Sequence, residues 1–440
     1  MARRRVHVPL NVLLNNRLVG RLAKQANGAV EFAYDQSWLD WEHALPVSLS
    51  LQLRETRYTG AAVSAVFDNL LPDSSAIRTR VAERVGADGT DAYSLLSRIG
   101  RDCVGALQFV PDGEAFDSAG VPQGDALDDA AIEAILLDLA RVPLGVDGAD
   151  AFRISIAGAQ EKTALLRDGD RWLRPIGTTP TTHIIKPQIG HIQTSAGTID
   201  LTNSVENELY CLKLMEAFGL EVNRAEIAQF GRVRALVVER FDRLRTRAGR
   251  LIRLPQEDCC QALSVPPTRK YQSEGGPGIV DIVRLLGASD RPAQDQLAFF
   301  KSQIIFWLIG ATDGHAKNFS LALRPGGRFH LTPFYDVLTV QPSVDQGHLP
   351  HKAFRLAMSV GGNRKYRITD IHGRHFVEIG REAGLGLAVI RQALAEVRAS
   401  AEQVKERVEA ALPGEFPKAL HASVQAAIGS RLERLGTAEI

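Results

Sequence analysis

Three side chains in the second half of the chain are spaced for work on a phosphate: Asp313, Asn318 five residues later, and Asp336 further on. Phosphoryl transfer to a hydroxyl needs a carboxylate that orients the hydroxyl and accepts its proton, and oxygen ligands that hold magnesium against the phosphates. Asp, then Asn, then a later Asp supply those groups in the order protein kinases use them, with Asp313 as base and Asn318 and Asp336 as metal ligands. An Asp and an Asn in a glycine-containing loop also cap turns, so the elements that carry them matter. Leu297 to Ile309 is apolar apart from Lys301, Ser302 and Gln303, the pattern of a buried helix too short to cross a bilayer. Phe319 to Leu323 and Arg328 to Leu331 flank Arg-Pro-Gly-Gly and read as a hairpin. The helix delivers Asp313 to a loop, and the hairpin returns Asp336 beside Asn318.

A phosphate also needs a cradle. Ile154-Ser-Ile-Ala-Gly-Ala-Gln-Glu-Lys-Thr-Ala-Leu-Leu166 predicts strand, small-residue loop and strand. At Ala157, Gly158 and Ala159 no bulky side chain keeps backbone N–H groups from a phosphate. A Walker loop does not fit: its first glycine is absent, Glu161 replaces the second, and a hairpin follows in place of a helix. Thr181 to Lys186 is a strand run ended by Pro187, and a lysine at the end of a buried strand needs an anionic partner unless it snorkels to water. Ser204 to Gly219 has the cap and glycine stop of a helix. Glu208 in its first turn is the carboxylate chosen for Lys186, with Glu206 as competitor, although first turns favour Glu in any case. Val233 to Val238 reads as a strand leading into Glu239-Arg-Phe-Asp242, and Arg243 to Arg250 as a solvated charged hairpin. Gln256, Glu257 and Asp258 fall where a helix would start, and capping is their plain role.

Asp-Gly-His-Ala-Lys-Asn-Phe-Ser, from Asp313 to Ser320, resembles the catalytic loop of the HipA-like serine/threonine kinases, toxins of bacterial toxin–antitoxin pairs. Ala157 to Lys162, Phe67 to Ser74, Ser97 to Asp102 and Leu254 to Gln261 resemble the same family, and Tyr271 to Gly278 resembles its loop near the substrate groove. The likeness weakens in the last hundred residues. It implies a two-lobed protein-kinase-like α+β fold with a small amino-terminal subdomain and a mostly helical carboxy-terminal lobe. It implies ATP and Mg2+ as cofactors, with Ala157, Gly158, Ala159, Gln160, Glu161, Lys162, Lys186, Glu239, Phe241, His315 and Lys317 around the nucleotide. It implies autophosphorylation at Ser155, where close to two negative charges beside a phosphate site would expel the loop. Its partners would be a HipB-like helix-turn-helix antitoxin, operator DNA reached through that complex, with Lys365 and Arg374 near it, and glutamyl-tRNA synthetase as substrate.

A net charge of +1 over 440 residues provides no global field toward nucleic acid or membrane, so any basic surface is local, such as Asn363 to Arg367 with Arg374. Cys103, Cys211, Cys259 and Cys260 have no metal spacing and form no disulfide framework, which points to a reduced, cytoplasmic protein. The start lacks the cleavage site of a signal peptide. A change of composition marks a connecting segment over 112–150, with one helix at Asp129 to Ala140, after an amino-terminal α+β part over 1–111; the resemblance divides the remainder into a kinase N-lobe-like region with the nucleotide loop over 151–253 and a helical C-lobe with the catalytic loop over 254–440. A first hairpin turns at Asn15-Asn16, and Val30 to Tyr34 adds a strand. Asp68, Asp73 and Arg101 read as caps and surface pairs. Other readings of the same residues are a small-molecule or lipid kinase, a nucleotide-binding scaffold without transfer, and a metallohydrolase on Asp313, His315, His330 and Asp336, which lacks helical spacing.

Overall fold

The computed structural model describes residues 7–114, 122–139, 141–142, 144, 155–157, 160–194 and 197–436. The chain forms two compact units, each assembled from separated stretches. The first takes residues up to Pro187, Ala228–Thr268 and Ser320–Phe329; the second takes Gln188–Ile227, Arg269–Phe319 and His330 onward. The class is α+β, as expected.

In the first unit Asn15 and Asn16 stand at φ of 48° and 67°, a left-handed pair that asparagine tolerates. They close the hairpin of Leu10–Leu14 and Arg17–Lys24. A five-stranded sheet follows in the order Tyr58–Thr59, Val30–Tyr34, Arg17–Lys24, Leu10–Leu14, Leu107–Pro111. Phe67, from the helix Ala61–Asp68, packs between Phe32 and Phe109 of that sheet, 5.6 Å from each ring. Pro-Asp-Ser after that helix does what its pattern predicts: Ser74 accepts the Ile77 N–H and starts the helix Ser75–Val85. Asp68 pairs with Arg78 at 3.0 Å, and Arg101 with Glu114.

A second, six-stranded sheet orders Ala225–Phe230, Val233–Glu239, His183–Pro187, Thr163–Asp168, Arg171–Pro175 and Gly124–Leu127, with the helix Asp129–Asp138 after the last. Three expectations for this unit are corrected. Ser155, Ile156 and Ala157 lie in no strand; Ile154 is outside the described residues. Gln256–Asp258 is a strand, because the remote Ser320–Arg324 offers it a backbone partner, and both Glu257 and Asp258 are buried; only Asp258 caps a helix, Cys259–Ala262. The hairpin of Arg243–Arg245 and Leu251–Arg253 exists, but the side chains of Arg243 and Arg253 are 2% and 3% exposed, since carboxylates wait for them inside.

The second unit is built on the helix Pro292–Ile309, buried without a break from Phe299 to Ile309. Its polar interruption is satisfied locally, Lys301 on Glu396 at 2.5 Å and the Ser302 hydroxyl on the Phe299 carbonyl at 2.7 Å. Ile279–Leu286, Gly373–Glu382, Leu387–Ala411 and Lys418–Leu435 supply the other long apolar faces, with Trp307 against Phe376 at 5.5 Å. The helix Ser204–Ala217 begins one residue earlier than its serine cap suggests. Asn203 holds the cap position, and the Ser204 hydroxyl instead donates to Gln188 Oε1 at 3.0 Å. Among the described residues no helix is long and apolar enough to cross a membrane.

Candidate active site

The catalytic-loop residues hang from the end of the central helix. Gly310 stops it at φ 72°, and a Cβ there would come within 2.9 Å of the Phe354 ring. A Cβ on Gly314 would meet the Phe306 ring at 2.5 Å, so only glycine lets the loop lie directly on the last helical turn. The loop then closes on one atom. The Asp313 carbonyl accepts the His315 N–H at 2.8 Å and the Asn318 side-chain amide at 2.7 Å. That commits the amide's N–H end and leaves its oxygen as the atom a metal would take. The Asp313 carboxylate stays 58% exposed, with the buried His315 ring nitrogen Nε2 3.9 Å from Oδ1. Tyr271 donates its hydroxyl to the same Oδ1, and its ring meets His315 edge-on at 4.9 Å.

Asp336 returns to this loop through its neighbours. Tyr335 donates to the Lys317 carbonyl at 3.0 Å and Phe334 meets Phe319 at 6.1 Å, contacts that bracket Asn318 on one side and precede Asp336 on the other. Phe334 is bridged to Val222, and Thr339 to Ala311. Thr339 further accepts and donates through Asn207, at 2.9 and 2.8 Å to its N–H and carbonyl. Asp336 itself sits at φ 58°, a region that residues with a Cβ seldom adopt and that gathers at functional sites. Among the described residues no three His, Cys, Asp or Glu side chains gather at one point. The donors present, one carboxylate and one amide oxygen, suit magnesium, which keeps water and phosphate oxygens as its remaining ligands.

Of the residues expected around the nucleotide, Ala157 to Lys162, Lys186, Glu239 and Phe241 belong to the first unit, and His315 and Lys317 to the second. Gly158 and Ala159 lie outside the described residues. Around them Gln160 donates to the Pro187 carbonyl at 3.2 Å, and Glu161 pairs with Arg80 at 2.5 Å. Lys162 and Lys186 are both buried. Lys162 immediately precedes the strand Thr163–Asp168, in which Thr163 pairs with Ile185, the neighbour of Lys186. Glu208 and Glu206, in the second unit, are buried as well, Glu206 accepting from Gln188 at 3.1 Å.

The HipA N-terminal domain family matches residues 10–110, and the HipA-like C-terminal domain family matches residues 154–411. The chain belongs to the HipA-like serine/threonine kinase toxins. It is 35% identical over 404 residues to the kinase homologue Y4mE of Sinorhizobium fredii, covering 91% of each chain. It is 31% identical over 350 residues to the serine/threonine-protein kinase toxin HipA of Shewanella oneidensis, covering 75% of each. Its fold matches the HipA chain in the structure of the Shewanella oneidensis HipA, HipB and operator DNA complex, with a TM-score of 0.79, 23% identity, and coverage of 97% of this chain and 98% of that one. That its relatives are kinases implies the use of ATP.

One part of this HipA-like kinase escaped the reading of its sequence. Glu239 is exposed and Phe241 half-buried, whereas the residues alternating with them, Arg240 and Asp242, turn inward. Asp102 accepts Arg243 at 2.8 Å and Arg253 at 2.9 Å on one oxygen, and Arg240 at 3.3 Å and the Thr181 hydroxyl at 2.7 Å on the other. Asp242 takes Arg240 at 2.8 Å, Arg243 at 3.1 Å and the Gly105 N–H at 2.7 Å. Burial alone would raise the Asp102 carboxyl, but Arg243, Arg253 and Arg240 outweigh it and hold it far below the usual range. Burial and Arg240 push the Arg243 guanidinium down to about 10. The only trace in sequence is the i, i+2 spacing of Arg240 and Asp242 in an extended run. Of the remaining expected residues, Ser155 is fully buried, its hydroxyl donating to the Leu70 carbonyl at 2.7 Å and its N–H to the Asp102 carbonyl at 3.0 Å. Lys365 is half-buried and Arg374 exposed.

Proposed function

We propose that this chain transfers the terminal phosphate of magnesium-bound ATP to serine or threonine hydroxyls of a protein, as the toxin of a HipBA-like pair. The observation that carries the reading is the pair of contacts, Tyr335 on Lys317 and Phe334 on Phe319, that runs the Asp336 segment alongside Asn318, in the same unit as the exposed Asp313. Asp313 orients the acceptor hydroxyl and takes its proton; Asn318 and Asp336 offer their oxygens to magnesium, which supplies positive charge against the phosphates. Lys162 and Lys186 brace the nucleotide's phosphates, Glu208 pairs with Lys186, Ala157 to Lys162 covers the phosphates, and His315, Lys317, Glu239 and Phe241 complete the nucleotide's surroundings. Catalysis is then positioning with electrostatic stabilisation.

Ser155 is the site of self-modification in this reading. Its hydroxyl is a donor inside the protein, so the segment must leave that seat to be phosphorylated. The phosphoserine, a dianion without that donor, cannot return to it, and the enzyme is switched off. A HipB-like antitoxin is the partner, by likeness to the HipA, HipB and operator DNA complex, with Lys365 and Arg374 as phosphate contacts on the DNA. The acceptor by the same likeness is a translation factor such as glutamyl-tRNA synthetase. Incubating the pure chain with labelled ATP and magnesium and mapping any modified serine tests the core of this reading. Asp313→Ala and Asp336→Ala are each expected to lower incorporation by about a thousandfold or more, and undiminished labelling in either removes that residue from the mechanism.

A further inference from the structure

Tyr271 makes a contact that the kinase reading does not use. Its phenol O–H donates to Oδ1 of Asp313, the carboxylate assigned to the acceptor hydroxyl, while the ring rests edge-on against the buried His315. The segment carrying it is fixed. The Tyr271 carbonyl accepts the N–H groups of Glu274 and Gly276, both at 3.0 Å, and the Lys270 carbonyl accepts that of Ala316 in the catalytic loop. Gln272 next door accepts the Ser359 N–H at 2.6 Å, tying the segment to the strand Arg355–Val360. A Cβ on Gly276 would lie 2.0 Å from the Arg269 carbonyl, so the turn closes tightly on itself. Beside the phenol a cavity of about 300 Å³ opens, lined by Tyr271, Ser273, Thr312, Arg355 and Tyr366, with Thr312 adjacent in sequence to Asp313.

We infer that Tyr271 is a positioning residue for phosphoryl transfer: its phenol holds Oδ1 of Asp313 so that the second carboxylate oxygen is presented to an acceptor hydroxyl entering from this cavity. The inference rests on Asp313 being the residue that orients the acceptor. A carboxylate on two rotatable bonds, mostly in water, otherwise samples several rotamers, and one fixed hydrogen bond from a braced phenol selects among them. The phenol keeps its proton throughout; the proton released by the acceptor goes to Asp313.

The test uses the full chain as enzyme and a size-tagged Asp313→Ala copy of the chain as acceptor, with labelled ATP and magnesium, initial rates being read at varied ATP. Tyr271→Phe keeps the ring against His315 and removes only the hydroxyl. The expected result is a kcat about ten- to hundredfold lower, the range set by loss of one hydrogen bond to a charged group, with the KM for ATP and the thermal midpoint unchanged. An unchanged kcat overturns the inference. So does a faster variant, which would mean that the phenol competes with the acceptor, and so does a fall in kcat matched by loss of ATP affinity or of thermal midpoint. Wild-type transfer alongside an unaffected variant removes the role of Tyr271 alone; absence of wild-type transfer to the tagged copy removes the kinase reading with it.

Discussion

Asp102 and Asp313 are the same residue set to opposite ends. Asp102 is shut inside the first unit, every lone pair taken by Arg240, Arg243, Arg253 or Thr181; Asp313 stands more than half exposed in the second, with one phenol on one oxygen. The first cluster holds two carboxylates among three guanidiniums, so its carboxylates are fully engaged and it fixes the backbone that carries it. The second leaves a charge uncommitted where substrate can reach it. Chemistry at a carboxylate needs that vacancy, and rigidity around a carboxylate needs its absence.

The largest expected effect is on the closed cluster. Asp102→Asn leaves three arginines around a neutral amide and is expected to lower unfolding stability by about 3–5 kcal/mol, as removal of one partner from a buried ion network does. Asp313→Ala is expected to change it by less than about 0.5 kcal/mol. Urea midpoints of the two variants measure the contrast, and equal midpoints would erase it.

A second test asks whether partners or burial decide a carboxylate's state. Glu257 is fully buried; Oε1 accepts the Leu49 N–H at 2.7 Å, the Ser48 hydroxyl lies beside the carboxyl, and among the described residues no hydrogen-bond partner meets Oε2. Burial pushes its carboxyl up to about 8. The folded chain therefore holds a proton that the unfolded chain has released above the ordinary Glu range. Stability from this group is complete at low pH and is lost as pH rises through 8. Glu257→Gln should flatten that decline and gain about 1–3 kcal/mol at pH 8 relative to the parent, read from urea unfolding at pH 5 and pH 8. A parent whose stability does not fall over that interval contradicts the assignment. Among the ion pairs the smallest effect is at Arg80, whose pair with Glu161 is one-third exposed. Arg80→Ala should alter unfolding stability by less than about 1 kcal/mol, and a larger loss would place that pair with the closed cluster.

Local signals carried most of the architecture. Asn15-Asn16 can adopt left-handed φ, Pro-Asp-Ser74 stops one helix and caps the next, and the Leu297 to Ile309 run is apolar whatever surrounds it. The expectation for Asp313, Asn318 and Asp336 rests on residue type and spacing, which the chemistry constrains together; the structure runs the Asp336 segment alongside Asn318 through Tyr335 and Phe334. The buried charges were not legible. Arg243 and Arg253 look the same in sequence whether they face water or Asp102, which lies more than a hundred residues earlier. Glu257 and Gln256 were mistaken for helix-start residues because their strand partner, Ser320–Arg324, is equally remote. Tyr271 gave no sign of its bond to Asp313, since nothing in a Gly-rich loop specifies where a phenol ends up.

The strand Ser320–Arg324 belongs to the first unit, although the catalytic loop immediately before it belongs to the second. During synthesis the strand Gln256–Asp258 therefore waits for its neighbour until some sixty further residues have emerged, several seconds at ribosomal speeds of about 5–20 residues per second. A truncated or stalled product ending anywhere short of that strand lacks the edge on which the amino-terminal half completes itself.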